Sequence, residues 1–500
     1  MKKTIIKTGV AVVMGLSLSA CGNSFLNTPM YNAVDIDDGI NDVTTVEYAL
    51  NGAYAYLRQY QSAGNYSSLL GDYSSDIVYN GLEMGTHATD MYQFIYTETT
   101  GTLSSIWSYD YKVIDLAARV IQACERLLPE ASLADAKDLQ MYEAEARTLR
   151  AYATLMLTNI FGHQVMVDGT SYANELGIVI VEKPVQAYEH IERNTVGECY
   201  NQILNDLNTA ISLFEKGGNR GNMYYLSPQA TYGLLARANM YLENWSAAAQ
   251  AAQNAINLSG IKTLTYDPVD YKALFDGGKS NVESMFALAI NSIDNNGTNS
   301  AGQFFNNYGY SLSPYLNSLY GPEDCRRAIL AFKNDNADGE PLPWWVDKNP
   351  FNGGKFGYFG GTNVTYATNY LVNAPEMFLI QAEAYAKMNQ MGPALDALLV
   401  VAKRNNEITS TDDLPSTMQG FMEFLYDERA RELFQEGFRL WDLRRWNISC
   451  NLDAIGAPAI MFYYNNQKVG DLVFPIPANE VNSGFGVVQN ANWSNSKPKQ

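Results

Sequence analysis

Two neighbouring segments, Ser227–Glu243 and Ser246–Ser259, constrain the fold of this chain more than any other feature of the sequence. The first begins with Ser227-Pro228, an N-cap residue followed by a first-turn proline. Small residues recur along one side of both segments, and a short turn at Asn244-Trp245 separates them. Two antiparallel helices within about 34 residues are the unit of a tetratricopeptide repeat. The sequence therefore predicts a scaffold built from packed helix pairs.

Helical periodicity recurs along much of the chain. A second helix pair, at Ala374–Met388 and Gly392–Lys403, places Ala and Tyr residues at offsets comparable to those of the first pair. Further helices are predicted at Thr44–Gln61 (capped by Thr44 or Thr45), Leu103–Leu128, Leu133–Phe161 and Thr195–Phe214. The sequence therefore predicts a mainly α fold.

Two stretches without helical periodicity interrupt this pattern. Both are rich in Gly, Asn, Asp, Tyr and Trp, which is the composition of long ordered loops, and such loops often carry function. We expect a single domain over 44–500, with helix pairs at about 133–215, 227–259, 374–403 and 421–446 and loop-rich insertions at about 64–100 and 263–369. Repeats at irregular separation favour a helical frame with insertions over a continuous solenoid.

The segment Asp427–Trp446 combines an apolar stripe with a charged face. The apolar residues begin before it and recur at helical spacing: Phe421, Phe424, Leu425, Leu433, Phe434, Phe438 and Trp441. Opposite charges lie three residues apart at Glu428–Arg431, Arg429–Glu432, Glu436–Arg439 and Asp442–Arg445. Such pairs stabilise an exposed helix by about 0.2–0.5 kcal/mol each. We expect an amphipathic helix and a short second one, with Gly437 at a helix end or beneath another backbone.

The N-terminus has the features of a targeting segment. Lys2, Lys3 and Lys7 precede a mostly apolar run that is too short to span a bilayer. The run ends in Leu18-Ser19-Ala20-Cys21, which matches a bacterial lipobox. We expect a signal peptide at 1–20, lipid attachment at Cys21 and a tether at 21–43. The alternative is an ordinary secretory peptide followed by an unrelated cysteine.

The motifs and charge of the sequence favour a protein without catalytic activity, metal or cofactor. A formal net charge of −19 argues against nucleic acid as a partner. The three histidines have no paired spacing, and no GxSxG motif occurs. An Asn/Asp-rich turn at 334–339 begins like a calcium loop, but the position of the bidentate Glu is Trp345. The cysteines after Cys21 are widely spaced and are predicted to be core thiols: Cys124, Cys199, Cys325 and Cys450.

Three motifs resemble the SusD/RagB-like family of outer-membrane nutrient-binding lipoproteins. Glu428–Trp446 reads E-R-x-R-E-L-x-x-E-G-x-R-x-x-D-L-R-R-W, which resembles the C-terminal helix-turn-helix of that family. Phe474–Glu480 with Gln489-Asn490 resembles its closing P-I-P-x-x-E … Q-N segment, and Cys21–Pro29 resembles the start of its mature chain. The resemblance implies a helical-repeat lipoprotein of a Bacteroidetes-type outer membrane that forms a lid on a TonB-dependent, SusC-like barrel. It also implies non-covalent capture of oligosaccharides for import.

Candidate ligand-binding residues lie in aromatic clusters of the insertions. Trp344 and Trp345 stand in a Pro-rich loop, followed by Tyr358 among glycines, and exposed rings of this kind suit the C–H faces of a sugar. Alternatively, one or both tryptophans plug the loop onto the helices. Tyr73, Asp76 and Tyr79 form a second cluster, which His87 follows. A third cluster is either ligand-binding or core: Phe304, Phe305, Tyr308, Tyr310 and Tyr315.

Two other functions compete with glycan binding. Some relatives in the resembled family capture peptides on the same type of transporter. A helical-repeat adhesin or assembly scaffold without a small ligand would also need only the predicted frame. The resemblance favours glycan binding, and a peptide binder would not need to depend on exposed tryptophan rings.

Overall fold

The computed structural model describes residues 39–80, 87–185, 189–275, 281–330, 354–356, 364–448 and 469–496. Within these ranges the architecture is mainly helical, as the sequence predicts. The longer helices are α1 (Val43–Leu57), α2 (Tyr66–Tyr73), α4 (Gly101–Leu127), α5 (Leu133–Phe161), α6 (Val196–Gly217), α7 (Pro228–Tyr241), α8 (Trp245–Ser259), α12 (Ala374–Lys387), α13 (Met391–Ala402), α14 (Met418–Glu432) and α15 (Arg439–Trp446). The shorter helices are α3 (Thr89–Tyr92), α9 (Pro268–Ala273), α10 (Ala301–Asn307), α11 (Pro314–Leu319), α16 (Ala478–Val481) and α17 (Trp493–Ser496).

The strands of the described residues form three small antiparallel pairs. Strand β1 (Val78–Asn80) pairs with β5 (Tyr310–Leu312), β2 (Met166–Val167) with β3 (Thr170–Ser171), and β4 (Ser284–Ala287) with β6 (Tyr370–Asn373). The β1–β5 pair joins the two predicted insertions, with Tyr79 opposite Ser311. The two loop-rich regions therefore meet each other on one side of the helical frame.

The helix pair α7–α8 forms as predicted. Ser227 caps α7 by accepting a hydrogen bond from the Ala230 backbone N–H, with Pro228 in the first turn. Gly260, in the left-handed conformation at φ 73°, ends α8. Ala236 and Ala238 are fully buried, so these small side chains allow the neighbouring helices to approach closely. The second predicted pair corresponds to α12 and α13, which also pack on each other.

The start of α1 differs from the prediction. Asp42, rather than Thr44 or Thr45, is the N-cap residue, and its carboxylate accepts the Thr45 backbone N–H at 2.7 Å. The Thr45 hydroxyl in turn accepts the Asp42 backbone N–H at 3.0 Å, which completes a reciprocal cap. Aspartate is a strong N-cap residue, and Asp42 stands two residues before Thr44. The helix also ends at Leu57 and does not reach Gln61.

The charged face of α14 and α15 is buried, contrary to the expectation of an exposed face. Arg429 contacts Asp442 at 2.7 Å, and Arg439 contacts Asp76 at 2.7 Å, instead of their predicted partners. Other elements cover the face and supply counter-ions, in the pairs Arg326–Glu428, Arg404–Glu432 and Arg445–Glu383. Of the predicted pairs, Glu428–Arg431 and Asp442–Arg445 do form.

Neighbouring guanidinium groups keep the buried carboxylates of Glu428 and Glu383 charged. Burial alone would raise the pKa of Glu428, but the guanidinium groups of Arg326 and Arg431 lower that pKa to about 2. Burial would also raise the pKa of Glu383, but the guanidinium group of Arg445 lowers that pKa to about 2. The two helices are thus held in place by a network of buried ion pairs. Removing one partner of such a pair costs about 3–5 kcal/mol, far more than a surface pair.

Gly437 connects α14 to α15 beneath the backbone of α2. It has φ 78°, and a Cβ at this position would overlap the carbonyl oxygen of Ser68. Asp72 of α2 accepts the backbone N–H groups of Gln435, at 2.8 Å, and Arg439, at 3.3 Å. The first insertion is therefore fixed directly on the C-terminal helix-turn-helix. Of the two alternatives for Gly437, the position beneath another backbone is the one that the structure confirms.

Two large apolar clusters and one small one form the interior of the described residues. The larger runs through the helical frame, and the second joins both insertions to α14. This insertion core is aromatic-rich, and its members include Tyr73, Ile77, Phe304, Phe305, Tyr310, Phe356 and Phe434. Cys124, Cys199 and Cys325 are buried free thiols, as predicted, whereas Cys450 lies outside the described residues. Each helix of the described ranges is too short or too polar to cross a membrane.

Candidate functional site

Tyr73, a predicted ligand-binding residue, lies inside the insertion core. Its side chain is 1% exposed, and its hydroxyl donates a hydrogen bond to Asn65 Oδ1 at 2.6 Å. The ring packs on Tyr310, with centroids 4.7 Å apart, and stacks on Phe305 at 5.8 Å. Burial raises the pKa of Tyr73 well above its usual value. These contacts give Tyr73 a packing role, and ligand contact by this residue stays a prediction.

Asp76 and Tyr79, the other two members of that predicted cluster, are also buried. Both carboxylate oxygens of Asp76 accept hydrogen bonds from Arg439, at 2.7 and 2.9 Å. Tyr79 is 8% exposed and lies in β1. All three residues are thus buried, Tyr73 and Tyr79 in the insertion core and Asp76 against Arg439 of α15. Their direct contact with a ligand stays a prediction as well.

Trp344, Trp345 and Tyr358 lie outside the described residues. The described residues near them in sequence make defined contacts. The Gly354 backbone N–H donates to the Ile329 carbonyl at 2.6 Å, so the described ends on either side of 331–353 meet. Lys355 forms an ion pair with Glu436, and Phe356 stacks on Phe305 at 5.9 Å. Ile329, Leu330 and Phe356, which are described residues near these predicted ones in sequence, thus belong to the insertion core.

A partly exposed aromatic surface covers the same core. We define it by four residues: Tyr60, Tyr66, His87 and Tyr308. Tyr60 and Tyr66 meet edge to face at 5.3 Å, and the His87 ring stacks on Tyr308 at 4.3 Å. Phe304 lies beneath and joins the two halves, 6.1 Å from Tyr66 and 5.8 Å from Tyr308.

Polar groups border this aromatic surface. Burial raises the pKa of Tyr66 to about 12, and Tyr60 and the nearby Asp90 carboxylate contribute in the same direction. On the other side, the exposed Asn307 side chain donates to Gln303 Oε1 at 2.5 Å. Aromatic faces bordered by carboxylate and amide groups can stack on the C–H face of a sugar ring and hydrogen-bond its hydroxyl groups.

Sequence reasoning found half of this surface. Tyr308 belonged to the third aromatic cluster, and His87 was noted beyond the second. Tyr60 and Tyr66 were missed because they lie just beyond the end of α1 and at the start of α2, away from any dense aromatic run. Their pairing arises from the turn between the helices, where Tyr66 N–H donates to the Tyr60 carbonyl at 2.7 Å.

The described residues contain no cluster of three or more His, Cys, Asp or Glu side chains arranged to hold a metal ion. His87 stacks on Tyr308, and His163 stacks on Tyr172 at 3.9 Å. His190 is exposed, with its ring 3.7 Å from the Glu192 carboxylate. The histidines thus have separate surroundings, and each has an aromatic or acidic neighbour.

Two family models match separate parts of the chain. The model described as the SusD family matches residues 374–493, which include the helix-turn-helix α14–α15 and the closing segment. The model described as "Starch-binding associating with outer membrane" matches residues 24–242, which include α1 to α7. The two matches therefore cover most of the helical frame and leave the second insertion between them.

A curated relative and solved structures agree with these matches. A SusD-like protein from Bacteroides ovatus is 26% identical over 302 residues, which are 56% of this chain and 48% of the relative. The aligned region thus spans about half the length of that curated relative. The solved structures are less identical in sequence to this chain than that relative is, so their similarity is evidence for the fold alone.

The similar folds extend over nearly the whole chain. A SusD superfamily protein from Bacteroides thetaiotaomicron has a TM-score of 0.77 at 22% identity, covering 90% of this chain and 100% of that one. A SusD superfamily protein from Bacteroides vulgatus has a TM-score of 0.76 at 23% identity, covering 91% and 99%. A SusD-like carbohydrate binding protein from Bacteroides vulgatus has a TM-score of 0.67 at 20% identity, covering 81% and 83%. With both ends matched by family models and the fold shared throughout, this chain belongs to the SusD-like family.

Proposed function

We propose that this protein is a cell-surface glycan-binding lipoprotein that captures oligosaccharides and delivers them to a TonB-dependent outer-membrane transporter. The observation that carries the proposal is the aromatic surface over the insertion core. Phe304 lies beneath that surface, and the neighbouring Phe305 stacks on Phe356, which stands in sequence between Trp345 and Tyr358. The family description of starch binding and the carbohydrate-binding relative support a sugar as the ligand.

Binding in this proposal involves no bond cleavage. Aromatic rings provide flat apolar faces, and the surrounding Asp and Asn side chains provide hydrogen-bond partners. Stiff aromatic side chains lose little conformational entropy when a ligand binds, which favours a surface that is already formed. The protein then acts as a receptor, and the transporter provides the energy-dependent step.

The lipid anchor at Cys21 gives this receptor its location. Tethering to the outer membrane keeps a captured glycan at a high effective concentration near the channel. A Cys21→Ser variant is expected to be lost from the outer-membrane fraction and to incorporate no palmitate. If that variant fractionates and labels like the wild type, the lipoprotein assignment is wrong. The transporter partner would be a SusC-like barrel, which co-purification from mild detergent would detect.

A glycan array with the leaderless protein tests the proposed ligand class. Maltoheptaose is the first probe because the matched family description names starch. The array extends to other neutral glycans and is run beside a peptide library. We expect saturable binding to at least one oligosaccharide. Binding to peptides alone would mean that the captured ligand is a peptide. Binding to neither class would favour a scaffold or adhesin.

A further inference from the structure

A pocket lies against α1, the helix that ends shortly before Tyr60 of the aromatic surface. It is bounded by α1, by residues 222–225, by β4 and by the loop that follows β4, and its cavity volume is about 490 Å³. Pockets for small ligands generally occupy about 300–1,000 Å³ and combine apolar walls with a few polar groups. We call this cavity the α1–β4 pocket.

Tyrosine rings form the apolar wall of the α1–β4 pocket. Tyr224 lines the pocket and is 38% exposed. Behind it, Tyr225 packs edge to face on Tyr54 at 5.7 Å, and the Arg220 guanidinium lies 4.2 Å from the Tyr225 ring. The Tyr54 hydroxyl is fixed by a 2.7 Å hydrogen bond to Glu145. The wall is therefore held rigidly, while its outermost ring stays accessible.

Planar polar groups form the rim of the pocket. Arg58 and Asp294 form an ion pair, with the Arg58 side chain 12% exposed and the Asp294 side chain 59% exposed. Asn291 Oδ1 accepts the backbone N–H groups of Ile293 and Asp294, each at 2.9 Å, which fixes the loop that carries the acid. Asn222 Oδ1 accepts the Tyr224 backbone N–H at 2.9 Å, which fixes the tyrosine.

The charge balance of this rim favours a neutral ligand. The Arg58 guanidinium is already neutralised by Asp294, so a carboxylate or sulfate on a ligand would have to displace that acid. A formal net charge of −19 further disfavours the approach of an anion. Neighbouring hydroxyl groups, by contrast, can accept hydrogen bonds from the arginine and donate hydrogen bonds to the aspartate without breaking the pair.

The pocket is continuous with the aromatic surface along the chain. Arg58 is followed two residues later by Tyr60, and Asn296 Nδ2 donates to the Arg58 carbonyl at 2.9 Å. The segment after Asp294 continues into α10, which carries Phe304. The segment after β4 therefore contacts both Arg58 at the pocket and Asn65, the neighbour of Tyr66 in the aromatic surface.

We propose that the α1–β4 pocket is a second glycan subsite, which takes one neutral sugar ring of a longer oligosaccharide. Tyr224 stacks on the ring, and the Arg58–Asp294 pair hydrogen-bonds two adjacent hydroxyl groups. This proposal rests on the proposed glycan-binding function. It adds the preference for neutral sugars and a binding surface that extends beyond the aromatic residues.

Calorimetry with a panel of neutral oligosaccharides tests the subsite, using maltoheptaose, cellohexaose, xylohexaose and mannohexaose. For the probe that binds wild-type protein, Tyr224→Ala is expected to weaken affinity about fivefold, which corresponds to one stacked ring. Asp294→Ala is expected to weaken it about tenfold, and Asp294→Asn by less. Tyr48→Ala is the matched control, because this tyrosine is 66% exposed on the same helix α1 but does not line the pocket.

The outcomes separate this proposal from the function on which it rests. If the wild type binds a probe and both Tyr224→Ala and Asp294→Ala bind it equally well, the subsite is overturned and glycan binding stands. If a hexagalacturonate binds more tightly than every neutral probe, the neutral preference is overturned. If the wild type binds neither these probes nor any glycan on the array, both proposals fall. Melting curves of each variant verify that the protein remains folded.

Discussion

Two aromatic groups that share Phe304 have opposite exposure. On one side, Tyr73 and Tyr310 pack on Phe304 inside the insertion core, and both are 1% exposed. On the other side, Tyr66 and Tyr308 contact the same ring but remain partly exposed. The buried group fixes the insertions on the helix-turn-helix, and the exposed group is available to a ligand. Stability and binding should therefore respond to different substitutions, although the residue types are alike.

The largest effect is expected at the helix pair α7–α8. Replacing Ala236 or Ala238 by Glu would place an unpaired charge and extra volume in a fully buried position, at a cost of several kcal/mol. We expect loss of soluble protein or a large fall in melting temperature. Ala247→Glu is the matched control, since this alanine is exposed on α8 and should tolerate the charge. Unchanged melting of both buried variants would contradict the packing described for this pair.

A somewhat smaller loss of stability is expected for Asp76→Ala. The substitution removes the carboxylate that pairs with Arg439 and leaves a buried guanidinium without that partner, at about 3–5 kcal/mol. Chemical denaturation measures the effect. Asp115→Ala provides the comparison, because its pair with Arg119 is partly exposed and should contribute less than about 1 kcal/mol. Equal losses in the two variants would mean that Asp76 does not lie in a buried pair.

These two predictions show what could be read from the sequence and what could not. The helix pairs follow from local patterns such as Ser227-Pro228 and the alanine spacing, and the structure confirms them. The partner of Arg439 lies 363 residues earlier, so spacing along α15 could not identify it. The four charged pairs predicted to face solvent look the same in the sequence whether or not other elements cover them.

The candidate site was harder to predict for a related reason. Tyr66 and Tyr73 begin and end the same helix, α2, and a separation of seven residues places them on the same face. Tyr73 nevertheless lies beneath Phe305 and Tyr310, whereas Tyr66 reaches the edge of the core. Exposure therefore depends on residues more than 200 positions away, which periodicity does not reveal.

The two tryptophans of the second insertion should affect binding more than stability. Each stacked ring contributes about 1 kcal/mol, so Trp344→Ala with Trp345→Ala should weaken glycan binding roughly tenfold to thirtyfold. Calorimetry of the single and double variants, with melting curves, measures both properties. Undiminished affinity in a folded double variant would remove this loop from the site. A collapse of the melting temperature would show that the tryptophans plug the loop onto the frame.

A smaller effect is expected within the aromatic surface itself. Tyr66→Ala and Tyr308→Ala should each weaken glycan binding about fivefold, since each removes one partly exposed ring. Tyr66→Phe should preserve affinity if stacking, rather than the hydroxyl group, makes the contact. The matched control is again Tyr48→Ala, which removes an exposed ring elsewhere on α1. An equal loss in the control would show that the effect is not specific to this surface.

The most direct test of the account is hydrogen–deuterium exchange of the leaderless protein with and without the oligosaccharide that binds on the array. The account predicts slower exchange in peptides around Tyr60–Tyr66, His87 and Tyr308, and in peptides that contain Trp344 and Trp345. Peptides from α7 and α8 should exchange alike in both states. The contradictory result would be protection confined to another face, such as the groove that Tyr111, Val179 and Phe485 line, with no change at the aromatic surface.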